Sequence, residues 1–304
     1  MTHPPSALPT RSSPDQPGSD SSAIAVARTL VAREPGLCAV GAGGIVIALL
    51  CLVGVAFEGR FVPPEGKLLD AATFTFGVGL FTLTIALLLP LAGYSPPARR
   101  RWRRGYYLFA VYGLVLEALQ AFRGLDPRFT EVGDPIDEIA GAVFGVTAGI
   151  TTVLFALLGL QFFRARVLWD RPVLRLGIRY GVAAVAISFG IGIVMSVNSG
   201  REIGDDGNLL LAHGLGVHGI QTLPLVALLV ESAAAVARPR PWVHIAGVGW
   251  LTASCAALVQ AALGRPPLEP STLTVSIVIG LIAWAIVAAY ALVSWSRTAS
   301  WRPA

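Results

Sequence analysis

The chain has 304 residues, 54% of them hydrophobic and only 13% charged, with a mean hydropathy of +0.67. Soluble domains carry roughly 25% charged residues, so this composition excludes a soluble globular domain and points to a bilayer. A net charge of +5 would suggest nucleic acid in a soluble protein, but here the cations cluster in alternate loops, which removes that partner.

Residues 1–36 read as a cytoplasmic tail. Its first 20 residues are rich in Pro, Ser and Asp, a disordered composition, and Ser22–Glu34 could lie along the membrane surface as a short helix. The basic residues come too late for a secretory leader. Eight apolar runs then fill residues 37–296: Leu37–Phe57, Ala71–Gly93, Gly105–Phe122, Ile139–Phe163, Gly177–Asn198, Leu209–Val230, Trp242–Leu263 and Thr272–Trp295. A spanning helix needs about 20 apolar residues. Lipid leaves backbone groups no partner but one another, and nothing alternates as barrel strands do, so an all-α integral membrane fold is predicted. Residues 297–304 form a second cytoplasmic tail.

Arginine sets the threading. Of 23 Lys and Arg residues, 17 fall in the two tails and in the segments 94–104, 164–179 and 231–241. Positive residues stay cytoplasmic, which puts both termini inside. The remaining loops hold 12 of the 18 acids, so the outer face is acidic. Trp102, Trp169, Trp242, Trp295 and Trp301 fall near the predicted cytoplasmic ends, as an aromatic belt would. Arg outnumbers Lys 22 to 1, which suggests a GC-rich bacterial genome and the plasma membrane. Cys38, Cys51 and Cys255 lie inside spans without metal or disulfide spacing and read as small core residues.

An internal echo recurs at a period of about 140 residues. Glu58-Gly59-Arg60 matches Ser199-Gly200-Arg201, and Ala98 to Trp102 matches Ala237 to Trp242. Leu119-Gln120-Ala121 likewise matches Val259-Gln260-Ala261. An even number of spans per half gives a parallel 4+4 repeat. Gly41, Gly43, Gly44, Gly181, Gly190 and Gly192 read as helix-packing surfaces.

Polar groups at membrane depth usually face protein. Glu117, Gln120 and Arg123 follow one another at i, i+3 in the third span, with Glu117 about 9 Å below Arg123 by helix rise. The sixth span is richest: His213, His218 and Gln221, with Pro224 leaving the Ile220 carbonyl unpaired and Gly214, Gly216 and Gly219 permitting close approach. Asp137 and Glu138 open span four; Asn198 and Gln260 end spans five and seven. All fall in the predicted outer half, while the inner half holds only His244 and scattered hydroxyls. One polar pocket built from Glu117, Gln120, Arg123, Asn198, His213, His218 and Gln221 is therefore predicted. The pattern H-x4-H-x2-Q-x2-P at His213–Pro224, with E-x2-Q-x2-R-G at Glu117–Gly124, resembles a family of bacterial multi-pass membrane proteins with no established activity.

Proton-coupled or other small-molecule transport fits the pocket best, since neighbours move both carboxylate and imidazole toward neutrality. An intramembrane enzyme is the alternative: Glu117 and His218 as an acid–base pair, Arg123 holding the headgroup of a lipid-like substrate. Asp134-Pro-Ile-Asp137-Glu138 resembles a diphosphate-binding cluster only in composition and reads as a hydrated loop. An accessory subunit with membrane partners comes next, and haem last. His213 and His218 diverge by about 140° on one helix, Met195 reads as core, and no histidine recurs at Thr73 or Val78, so no cofactor is expected and no metal site is predicted. The expected partners are the bilayer, an unknown small molecule or lipid, and membrane subunits.

Overall fold

The computed structural model describes residues 31–233 and 236–299, the last two by backbone alone. Eight long helices make up most of the described chain: α1 Pro35–Glu58, α2 Leu68–Leu88, α3 Pro96–Phe122, α4 Pro135–Gln161, α5 Pro172–Val197, α6 Leu210–Ser232, α7 Pro239–Ala262 and α8 Thr272–Ala299. All eight are long and apolar enough to cross a membrane. The all-α multi-pass architecture expected from the apolar runs is the one observed. Large apolar side chains stand outward along the helices, such as Leu49, Val146 and Ile279, where lipid would cover them. Of the predicted surface helix at Ser22–Glu34, only residues 31–34 lie within the described chain.

Six of the eight helices start earlier than their apolar runs. Helices α1, α3, α4, α5 and α7 open on proline in the first two positions, where its fixed φ and missing N–H fit the first turn. The arginines at 99–104 therefore form the opening turns of α3 rather than a loop. Trp102 turns inward and is buried, its Nε1 donating to Leu154 O at 2.8 Å; it joins no surface belt. Pro224 sits buried within α6, which continues through it to Ser232.

Small residues set the tightest helix contacts, because lipid tails give helices no apolar reason to associate. A β-carbon on Gly44 would stand 2.9 Å from Gly79 Cα, and one on Gly181 would stand 2.8 Å from Ile220 Cα. These glycines join α1 to α2 and α5 to α6. Gly43 and Gly190 differ from expectation: both face open space, and only Gly192, beside the His213 ring, has a neighbour at ordinary contact distance.

Two short hairpins, absent from the sequence expectation, follow α1 and α5. Strand β1 (Phe61–Val62) pairs with β2 (Gly66–Lys67), and β3 (Glu202–Ile203) with β4 (Gly207–Asn208). Their turn residues, Pro63 to Gly66 and Gly204 to Gly207, are breaker clusters hidden between two stronger apolar signals. The two hairpins dock identically. Glu65 N donates to Gly124 O at 2.8 Å and Asp206 N to Gly264 O at 3.0 Å; Leu68 N donates to Arg60 O at 3.1 Å and Leu209 N to Arg201 O at 2.8 Å. Gly124 and Gly264 both have positive φ, 78° and 70°. Gly66 and Gly207 each lie directly under a helix-ending carbonyl, Ala121 O and Ala261 O, with no room for a side chain.

The first four helices meet the last four chiefly through α2 with α6 and α4 with α5. Phe81 of α2, Phe155 of α4 and Phe189 of α5 fill that seam, with centroids 5.3 to 6.3 Å apart. Near the hairpins, Arg201 Nη1 reaches Asp70 Oδ2 at 3.2 Å across it. The opposite, arginine-rich end is tied within each group of four. Buried Glu34 meets Arg99 and Arg103 at 3.0 and 2.9 Å, and Glu231 meets Arg171 at 2.6 Å.

Candidate polar site at the hairpin end

Glu117 is 2% exposed on α3, facing the interior of the first four helices. A carboxylate so far from water needs a cation, and the structure supplies Arg128, whose Nη2 stands 2.5 Å from Glu117 Oε2. Arg128 belongs to the α3–α4 connection, which folds back into the bundle. Asp126 Oδ1 accepts from the backbone N–H of Arg128 and Phe129, both at 2.9 Å. Gly141 admits the loop, since a β-carbon there would lie 2.6 Å from Arg128 O. The guanidinium then lies 4.9 Å from the Phe74 ring centre and 5.3 Å from that of Phe144. Its Nε is buried with no hydrogen-bond partner among the described residues.

Gln120, Arg123 and Asp137 form a neighbouring cluster. Gln120 Nε2 donates to Asp137 Oδ1 at 2.8 Å, and Arg123 Nη1 donates to Gln120 Oε1 at 2.6 Å and to Asp137 Oδ1 at 2.5 Å. Asp137 is the third residue of a capping box opened by Asp134, so Asp134 to Glu138 is a helix start rather than a free loop. Gln260 repeats this tie. Its Oε1 accepts from Ser271 and Thr274 at 2.8 and 3.0 Å, while its Nε2 donates to Pro266 O at 2.7 Å. Both glutamines hold the end of one helix to the start of the next. That role accounts for them without a ligand.

The histidines lie elsewhere. His213 Nδ1 stands 3.0 Å from Ser188 O and 3.1 Å from Ser188 Oγ, which locks α6 to α5. His218 is exposed, its Nδ1 2.5 Å from Gln221 Oε1 on its own helix. His244, at the arginine-rich end, meets Tyr180 OH at 2.8 Å. Asn198 is exposed at the end of α5, and Met195 packs against the apolar cluster around Ile191. Among the described residues, no three His, Cys, Asp or Glu side chains group as metal ligands.

The expected pairing of Glu117 with His218 is thus replaced. Glu117 takes Arg128, and His218 takes the local glutamine on another face. Sequence reasoning missed Arg128 because a loop cation at a membrane edge reads as solvated. Asp126-Pro127-Arg128 was the available signal, a turn that re-aims the chain. Ser188, one hydroxyl in an apolar helix, gave none.

A cleft of about 550 Å³ opens beside this cluster, lined by Phe61, Glu65, Lys67, Thr130 and Ser199 among others. Glu65 holds its rim. Burial pushes its carboxyl up, but hydrogen bonds from Thr130 Oγ1 and the Glu131 and Asp126 N–H groups outweigh this and leave it below the ordinary carboxylate value. A depressed folded pKa stabilises above the unfolded value, about 4.3, and that stabilisation fades as pH falls through the folded value. Amide exchange at Asp126–Glu131, corrected for intrinsic rates, is expected to accelerate on acidification below pH about 4.3; Glu65→Gln should show fast exchange at every pH.

Comparison with known proteins finds no matching family model, curated protein or solved structure.

Proposed function

We propose that this chain is a bacterial plasma-membrane protein with both termini cytoplasmic, built as a parallel 4+4 repeat, and that it carries out proton-coupled transport of a small molecule. The Glu117–Arg128 ion pair is the observation that carries this reading. An ionisable pair kept at membrane depth is a functional site by default, and here one member hangs on a loop that reaches the wet face. The matched hairpins support the repeat, because the same backbone hydrogen bonds recur at both. The arginine-rich and acidic ends support the orientation.

In this reading Glu117 carries the proton. Protonation removes the charge that holds Arg128 Nη2 and frees the guanidinium. The halves then re-pack along the α2–α6 and α4–α5 seam, with Arg201–Asp70 closing it at the outer end. Acid–base catalysis on a lipid has less support, because the carboxylate and the imidazole it would need have separate partners. The likeness of His213–Pro224 and Glu117–Gly124 to the bacterial family belongs to this proposal as well.

The test uses proteoliposomes loaded with a pH-sensitive dye and challenged with a panel of small carboxylates, phosphates, amines and sugars. Wild-type protein should acidify the interior with at least one solute class, and Glu117→Gln should not. Flat wild-type traces across the panel, or responses equal in Glu117→Gln, would contradict the proposal.

A further inference from the structure

Helix α3 carries a line of side chains that passes directly from charge to hydrocarbon. Arg100, Arg101 and Arg104, and beyond them Leu108, Val111 and Val115, all stand exposed. At 3.6 residues per turn these six fall within about 100° of one another around the helix. The opposite face is used inside the bundle. There Trp102, Tyr106 and Ala110 are buried, and Arg99 and Arg103 turn to Glu34 at 3.0 and 2.9 Å. Two arginines of this turn therefore serve the fold and three remain outside. Among the described residues no carboxylate forms an ion pair with those three.

Threading through the membrane does not require them. Segment 231–241, at the same end of the bundle, holds only Arg238 and Arg240. Leu108 to Val115 lie about 6 to 16 Å along α3 from Arg104, which is the depth of one leaflet of a hydrocarbon core about 30 Å thick. Arginine's planar fork grips phosphate oxygens in pairs, and basic side chains just outside a span draw anionic lipid. Helix α4 adds a second apolar track beside the first. Its Leu154 O accepts from Trp102 Nε1 at 2.8 Å, a β-carbon on Gly105 would stand 3.2 Å from the Leu154 side chain, and Leu157 and Leu160 are exposed. A free anion or a nucleic acid would meet the arginines and leave both apolar tracks unused. A phospholipid uses all of them at once.

We propose that this face of α3 binds an anionic phospholipid, its phosphate held by Arg100, Arg101 and Arg104. One acyl chain lies along Leu108, Val111 and Val115, and the other along Leu157 and Leu160 of α4. A zwitterionic lipid offers the same chains, but its own ammonium competes with the arginines for the phosphate. This assignment does not depend on what the protein transports.

The experiment offers purified protein in detergent an equimolar mixture of phosphatidylglycerol and phosphatidylcholine with identical chains, and counts the retained lipids by native mass spectrometry. Wild-type protein should hold phosphatidylglycerol several-fold over phosphatidylcholine. Arg100→Gln, Arg101→Gln and Arg104→Gln together should abolish that preference. The charge-matched set Arg166→Gln, Arg238→Gln and Arg240→Gln, at exposed positions of the same end, should keep it. Glycerol phosphate, a headgroup without chains, should not displace the lipid even in large excess. Phosphatidylglycerol with a photoreactive group on its acyl chain should label wild-type α3 within Leu108–Val115 or α4 beside Leu160. Equal retention of the two lipids by wild-type protein, equal loss in both triple variants, displacement by glycerol phosphate, or labelling away from α3 and α4 would each overturn the proposal.

Discussion

Arg128→Ala is expected to destabilise the protein by about 3–5 kcal/mol, the range for removing one partner of a buried ion pair. The carboxylate left behind is 2% exposed, and among the described residues no other cation is bonded to it. Removing Glu117 as well should restore most of the loss, because the penalty comes from the stranded charge more than from the lost attraction. Glu117→Leu with Arg128→Leu is therefore expected near wild-type stability, although without activity. Denaturant unfolding in detergent micelles of the two single variants and the double variant would show this. Equal, additive losses would mean that the two groups do not act as a pair.

The second large effect lies at the hairpins. A β-carbon on Gly66 would run into Ala121 O and stand 2.8 Å from Gly124 Cα, and one on Gly207 would run into Ala261 O and stand 3.1 Å from Gly264 Cα. These obstacles are backbone and cannot turn aside. Gly66→Val and Gly207→Val should each cost about 3 kcal/mol, the upper end for overpacking, while Gly43→Val, in open space, should stay within about 0.5 kcal/mol. Similar losses at Gly66 and Gly207 are the signature of two equivalent docking sites. A large loss at one alone would count against the repeat.

How much of this was legible in the sequence depended on the range of each signal. Apolar runs of span length are local and strong, so the eight helices and their order could be read from residues 37–296. The boundaries were misread because hydropathy was followed and the prolines at 35, 96, 135, 172 and 239 were not. Gln120 and Gln260, which the echo pairs, each tie a helix end to the next helix start, but spacing alone could not distinguish that tie from a ligand site. The Glu117 partner was illegible for a physical reason. His218 looked available because its bond to Gln221 lies along one helix, and Arg128 looked solvated because a loop re-entering the bundle leaves no periodic trace. Position along each helix was legible for many polar residues at once; direction around each helix was not, and direction decides which groups meet.

The measurement that bears most directly on this account is infrared difference spectroscopy of the protein in lipid bilayers during a pH titration, with Glu117→Gln as the reference. The account predicts a protonated-carboxyl band that grows on acidification in wild-type protein and is missing from the variant. Identical spectra from the two proteins would show that Glu117 never takes up a proton and would contradict the role assigned to it.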